Sequence, residues 1–168
     1  MPPEITIIPA ETSAHIATAR ELFLEYAGQL GFDLCFQSFD EEVAGLPGKY
    51  ASPQGCLWLA EGEGEMAGCV AVRPLEAGVC ELKRLYVRPQ WRGHGIGLSL
   101  TRQAIQWARE AGYRRMRLDT IVATMAAAVA MYRQLGFYEI PPYTQNPIPG
   151  AAFFELDLAA PPQASSGS

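Results

Sequence analysis

The stretch from Glu81 to Gly97, ELKRLYVRPQWRGHGIG, constrains this chain more than any other. It reads as a strand over Glu81 to Val87, a break at Arg88-Pro89, and a glycine loop that opens a helix at Gly95 or Ile96. A strand that delivers glycines to a helix N-terminus builds an anion cradle. The first N–H groups of the helix have no partners within it, and the helix dipole adds partial positive charge. Gly93, Gly95 and Gly97 let a ligand approach the backbone closely. Arg92 adds a permanent charge that reaches a phosphate in bidentate fashion.

The run Arg92-Gly93-His94-Gly95-Ile96-Gly97 fits the pattern Q/R-x-x-G-x-G/A. It resembles the coenzyme A pyrophosphate loop of the GNAT family of N-acetyltransferases. Two further segments carry the same resemblance. Glu81 to Pro89 is similar to that family's fourth strand, and Ala128 to Phe137 is similar to its A-x-x-x-Y-x-x-x-G-F helix end. The likeness extends over roughly residues 4 to 158. A glycine loop alone is a weak signal, because dinucleotide and P-loop sites use similar chemistry. The loop combined with Tyr132-x-x-x-Gly136-Phe137 is specific.

Periodicity and turn residues give the order of elements. Glu4 to Pro9 alternates as a first strand. Thr12 or Ser13 caps a helix to about Gln29, with Ile16, Ala19, Leu22, Phe23, Tyr26 and Leu30 at helical spacing. Asp40 caps a short second helix to Leu46. Cys56 to Ala60, Met66 to Val72 and the strand at Glu81 form a meander. Leu100, Ala104, Trp107, Ala108 and Ala111 mark the buried face of the helix after the glycine loop. Arg115 to Asp119 is a helix-connected strand, and Thr124 caps a helix with Met125, Ala128, Val129, Tyr132 and Leu135 on one face. Phe137 to Ile140 and Ala152 to Leu158 are the last two strands, paired across a proline-rich loop. The expected fold is α/β, with a mixed, mostly antiparallel seven-stranded sheet flanked by about four helices. That is the acyl-CoA N-acyltransferase arrangement the resemblance implies, in which strands four and five are parallel and splay apart. Residues 1–158 are expected to form one domain and 159–168 a disordered tail.

Charge supports a polyanionic ligand. The chain carries a net charge of −5, which argues against nucleic-acid binding. Yet residues 81–117 hold nine basic residues and two acidic ones, a local excess that suits a phosphate-rich cofactor. No apolar run approaches a membrane span, and MPPEITIIPAE lacks a signal core, so a cytoplasmic location is expected. Cys35, Cys56, Cys69 and Cys80 are isolated, without metal-ligand spacing, and read as buried thiols; no metal is expected.

The resemblance implies acetyl-CoA as cofactor and a primary amine, small molecule or peptide, as acceptor. It implies backbone contacts from Leu85, Tyr86 and Val87 to the pantetheine, and Arg92, Gly93, His94, Gly95, Ile96 and Gly97 around the pyrophosphate. His94 sits at a variable position, where its backbone matters more than its ring. Tyr132 matches the tyrosine that faces the cofactor sulfur. A phenol with a reference pKa of about 10 protonates a thiolate whose parent thiol lies near about 8.5. Its alternative is a plain core aromatic. Glu81, eleven residues before Arg92, is the candidate base; its alternatives are an ion pair with Lys83 or Arg84, or water acting in its place. The acceptor site is expected between Phe32, Asp33, Leu34, Phe36 and Gln37 on one side and Tyr143, Thr144, Gln145 and Asn146 on the other. Phe32, Phe36 and Tyr143 form its aromatic wall, and Arg84 either binds a substrate carboxylate or braces the sheet. The Asn that many members carry at the start of the last helix is missing from Ile121 to Met125, with Thr124 as its substitute or as a cap. A homodimer is among the assemblies the family uses. Two other readings stand beside the enzyme: an acyl-CoA-binding sensor without turnover, and a nucleotide-phosphate enzyme. The second lacks the Lys-Ser/Thr ending of a P-loop.

Overall fold

The computed structural model describes residues 4–30 and 38–159. Its elements run β1 Ile5–Pro9, α1 Ser13–Leu30, α2 Phe39–Ala44, β2 Cys56–Gly62, β3 Glu65–Glu76, β4 Val79–Val87, α3 Ile96–Glu110, β5 Arg115–Ile121, α4 Ala126–Gln134, β6 Tyr138–Ile140 and β7 Ala151–Asp157. One-turn 3₁₀ segments lie at Gly48–Tyr50 and Pro89–Trp91. The seven strands form one sheet in the order β1-β2-β3-β4-β5-β7-β6, antiparallel everywhere except the β4–β5 pair. The expected architecture is therefore the one observed. Strands β2 to β5 are longer than periodicity suggested, because residues such as Arg73 and Thr120 continue the ladders past the apolar cores of β3 and β5.

Each face of the sheet carries its own core. On one side Leu100, Ala104 and Ala108 of α3, with Val129 and Tyr132 of α4, pack on Val70, Leu82, Leu118 and Phe154. On the other, Ala19, Leu22 and Phe23 of α1, with Phe39 and Val43 of α2, pack on Leu57, Leu59, Cys69 and Tyr86. Ile96, Thr101 and Ile105 complete the buried face of α3, whereas Ala111, expected there, is exposed beyond the helix end.

One expected cap is present and two differ. Thr12 caps α1, its hydroxyl oxygen accepting the His15 N–H at 3.1 Å. Asp40 lies inside α2 rather than ahead of it, and Ser38 precedes the helix at φ 55° without a side-chain cap. Met125, not Thr124, precedes α4, again without a side-chain cap. Cys56, Cys69 and Cys80 are buried thiols, held protonated by desolvation. Cys35, Phe32, Asp33, Leu34, Phe36 and Gln37 lie outside the described residues.

β4 contains the feature that shapes the site. Cys69 pairs with Tyr86 and Ala71 with Lys83, so β4 spends one residue more than β3 over this interval. The extra residue makes a β-bulge. Arg84 occupies it at φ 60°, a left-handed conformation that non-glycine residues rarely adopt. Its carbonyl accepts the Cys69 thiol at 3.3 Å. Its guanidinium is clamped by Glu42 of α2 at 2.9 and 3.0 Å, over the Phe39 ring at 5.0 Å. The bulge flips the side-chain phase. Cys80 and Leu82 before it, and Leu85 and Val87 after it, all pack on the α3 side.

Candidate active site

The β4–β5 ladder stops early. Val79, Cys80 and Glu81 pair with Arg115, Met116 and Arg117, and beyond Glu81 the two strands separate. A cleft of about 310 Å³ opens between them. Its walls include Leu82 to Val87 of β4, Leu118 to Ile121 of β5, and Thr124, Met125, Ala128 and Tyr132 at and within α4. Tyr26, Gln29, Leu30, Arg92 and Asn146 complete its lining. Leu85, Tyr86 and Val87, the expected backbone partners of a pantetheine arm, lie on the stretch of β4 that has no β5 partner.

Past β4 the chain turns through Pro89–Trp91 and enters the glycine loop. Buried Trp91 anchors this turn under the sheet edge. Gly93 and Gly95 take φ 86° and 74°, and a Cβ at either would meet open space. They are glycines for their backbone conformation rather than for lack of room. Gly95 precedes α3 and offers no side-chain cap, and the first bond of the helix runs from Ser99 N–H to the Gly95 carbonyl at 3.0 Å. The amides of Ile96, Gly97 and Leu98 are thus left for an exogenous acceptor. The buried Ile96 side chain fixes the helix start, while Arg92, Gly93, His94 and Gly95 stay exposed. Arg92 donates to the Val87 carbonyl at 3.1 Å and to Gln29 Oε1 at 2.8 Å, which holds its guanidinium beside the loop at the cleft mouth. These residues fit a pyrophosphate at the helix start and a pantetheine arm along the open edge of β4.

Tyr132 lines the cleft from α4. Its ring packs against Phe137 with centroids 5.5 Å apart, and its hydroxyl has no hydrogen-bond partner among the described residues. Burial, reinforced by the neighbouring Tyr26 and Asp119, raises its pKa above the ordinary phenol value, so the proton stays on. Glu81 is 1% exposed and hydrogen-bonded at both oxygens. Arg73 Nε donates to one oxygen at 2.8 Å and the Tyr143 hydroxyl to the other at 2.6 Å. Tyr143 keeps its proton, because burial and the neighbouring carboxylate both raise its pKa.

These groups belong to a row across the sheet. Arg73, Glu81, Arg117, Glu155 and Tyr138 occupy successive paired positions on β3, β4, β5, β7 and β6. Arg117 donates to Glu155 at 2.9 Å and lies over the Tyr143 ring at 5.6 Å. The row therefore fixes Tyr143 and its loop over the sheet. Asn146 of the same loop donates to Asp119 at 2.9 Å. The reading of the residues missed Arg73, Lys83 and Asp119. Their signal was polar residues at the phase of β3, β4 and β5 that faces α1 and α2, where the sheet is also buried. Thr124 faces the cleft, at the position where the resemblance leads one to look for an Asn.

The comparison with known sequences decides the family. The model of the Acetyltransferase (GNAT) family matches residues 17–137. The chain belongs to the GNAT family. Acetyl-CoA is the co-substrate of these acetyltransferases. An uncharacterised N-acetyltransferase of Schizosaccharomyces pombe is 39% identical over 160 residues, covering 94% of this chain and 98% of its own. The uncharacterised N-acetyltransferase YjgM of Escherichia coli is 35% identical over 124 residues, 72% of each chain. A GNAT acetyltransferase structure from Staphylococcus aureus superposes with a TM-score of 0.75 at 22% identity, covering 92% of this chain and 99% of that one. The yncA structure from Salmonella typhimurium, solved with acetyl-CoA, superposes at 0.67 and 22% identity, covering 95% and 98%. The two structures speak for the fold. Among the described residues no helix is long and apolar enough to cross a membrane.

Proposed function

We propose that this GNAT protein transfers the acetyl group of acetyl-CoA to a primary amine, small molecule or peptide, by direct attack with both substrates bound. One observation carries the reading. The same cleft runs from Arg92, at the edge of the uncapped α3 amides, along unpaired β4 to the phenol of Tyr132. Acetyl-CoA supplies the activated acetyl group as a thioester. The chain's own residues hold, orient and manage protons. Arg92, Gly93, His94, Gly95, Ile96 and Gly97 seat the pyrophosphate through charge and backbone N–H groups. Leu85, Tyr86 and Val87 offer backbone groups to the pantetheine. Tyr132 holds a proton for the departing sulfur. The nitrogen that gains the acetyl group gives up two protons, one to solvent and one that ends on sulfur.

The acceptor enters from the side of Tyr143, Asn146 and the carboxylates beneath them. Glu81 acts there as the base only if Tyr143 releases its second oxygen. The bidentate clamp from Glu42 favours Arg84 as the brace between α2 and the bulge rather than as a ligand for a substrate carboxylate. Phe32 and Phe36, the other aromatic candidates for the acceptor site, lie outside the described residues. Among the described residues Cys56, Cys69 and Cys80 are buried, with thiol pKa values raised by desolvation, unlike the exposed, low-pKa thiol that a covalent acyl carrier needs; this supports direct attack.

The test is release of coenzyme A thiol with a panel of alkyl and peptide amines. Amine-dependent release supports an enzyme. Tight acetyl-CoA uptake with no release for any amine supports a sensor instead.

A further inference from the structure

The cleft wall holds an ion pair that seating the cofactor does not use. Lys83 Nζ and Asp119 Oδ1 are 3.7 Å apart, with side chains 5% and 7% exposed. That separation is longer than a hydrogen bond, so Oδ1 keeps capacity to accept one. Oδ2 is held by the Asn146 amide at 2.9 Å, and Asn146 is itself fixed by the Ile148 N–H at 3.0 Å. Asp119 shares the cleft with Tyr132, and its charge is felt by Tyr132 on α4 and Tyr26 on α1. Glu81 differs on both counts. Both of its oxygens carry short bonds, and it is not among the described residues that line the cleft.

We propose that Asp119 is the carboxylate that receives the acceptor's ammonium group and removes its proton. The proposal rests on the N-acetyltransferase reading of this cleft. In the step, an N–H bond of R–NH₃⁺ breaks and its electron pair stays on nitrogen. The proton goes to Oδ1, leaving R–NH₂ and a carboxylic acid that later returns the proton to solvent. Lys83 sets a cationic group beside the buried carboxylate, 3.7 Å from Oδ1. Burial, with Arg84 and Arg73 nearby, lowers the Lys83 pKa, and Glu81 and Asp119 oppose that effect without outweighing it. Asn146, from the loop that Tyr143 pins, aims the carboxylate. The acceptor class is an alkyl amine that arrives as its ammonium form.

The test compares two nucleophiles of the same shape, R–CH₂–NH₂ and R–O–NH₂, built on the best amine of the panel. The first is charged near neutral pH and the second is not. Asp119→Asn keeps an oxygen for the Asn146 amide. Calorimetric titration onto protein saturated with coenzyme A measures binding without turnover. The variant is expected to bind the alkylamine more than about tenfold more weakly and the alkoxyamine within about threefold. Turnover of the alkylamine falls by about 10²- to 10⁴-fold, the usual contribution of a positioned base, and that of the alkoxyamine by less than about tenfold. Equal losses for both nucleophiles, or alkylamine turnover within about threefold of the parent, overturn the proposal. If D119N does not fold, Asp119→Glu replaces it. That variant keeps the charge but shifts the oxygen, so alkylamine binding holds while kcat falls at least about tenfold; unchanged kcat overturns the proposal. A parent protein that takes up no acetyl-CoA removes the acetyltransferase reading and this proposal together. A parent that binds acetyl-CoA, with a fully active D119N, removes this proposal alone.

Discussion

Replacing Tyr132 with Phe separates packing from chemistry at a single oxygen. The ring stays where Phe137 holds it, 5.5 Å between centroids, so the core contacts persist. The hydroxyl has no hydrogen-bond partner among the described residues, so its loss leaves no buried group orphaned. Burial already disfavours the charged form of this side chain, and a phenyl ring suits the site at least as well as a phenol. The stability change is therefore expected within about 0.5 kcal/mol. Activity follows a different rule. Without a donor the sulfur departs as a bare thiolate, and kcat falls by about 10²- to 10⁴-fold, or about 3 to 5 kcal/mol of barrier. The assay pairs amine-dependent thiol release with thermal unfolding of the same preparation. An unfolding temperature within a degree or two of the parent, with kcat down at least a hundredfold, is the expected result. A variant that keeps kcat within threefold, or whose activity loss tracks a loss of stability, refutes the acid role.

Two further outcomes follow from the surrounding network. Glu42→Gln leaves the Arg84 guanidinium, 2% exposed, without its carboxylate; the expected loss is about 3 kcal/mol, read as an unfolding temperature lower by about 10 °C, and a shift under 2 °C contradicts the brace. For Glu155, burial pushes the pKa up, but hydrogen bonds from Tyr138 and Arg117 outweigh it and hold the value below 4.5. Its stabilising contribution is therefore present above pH 4.5 and is lost as pH falls through the lower folded value. The stability gap between the parent and Arg117→Met should be wide at neutral pH and narrow below 4.5; a gap independent of pH contradicts the assignment.

Much of the site was legible because backbone chemistry writes itself into glycine spacing. Gly93, Gly95 and Gly97 pointed to the uncapped start of α3 that is the proposed anion cradle, and Tyr132 lines the cleft. The bulge was legible too, in a signal the reading of strand four passed over. Apolar residues fall at 80, 82, 85 and 87, a slip of one in a period of two. The partners of Glu81 were a different matter. Its distance from Arg92 marked it as a possible base, but Arg73 and Tyr143 reach it from β3 and from a loop 62 residues onward, and only the sheet register brings the three together. Lys83 entered only as a possible ion-pair partner of Glu81, and Asp119 only as the end of a strand, whereas a sheet covered on both faces buries both phases. Helix starts were read one or two residues off because Ser38 and Met125 precede their helices without a capping side chain, so the polar residues nearby misled.

The account depends on the α3 amides and the β4 edge seating acetyl-CoA, and a calorimetric titration tests that directly. The predicted result is saturable uptake well below millimolar ligand, weakened at least about tenfold by Arg92→Met and by raised salt, as a charge-assisted phosphate site requires. No heat of binding at millimolar acetyl-CoA, or uptake indifferent to both Arg92 and salt, contradicts it.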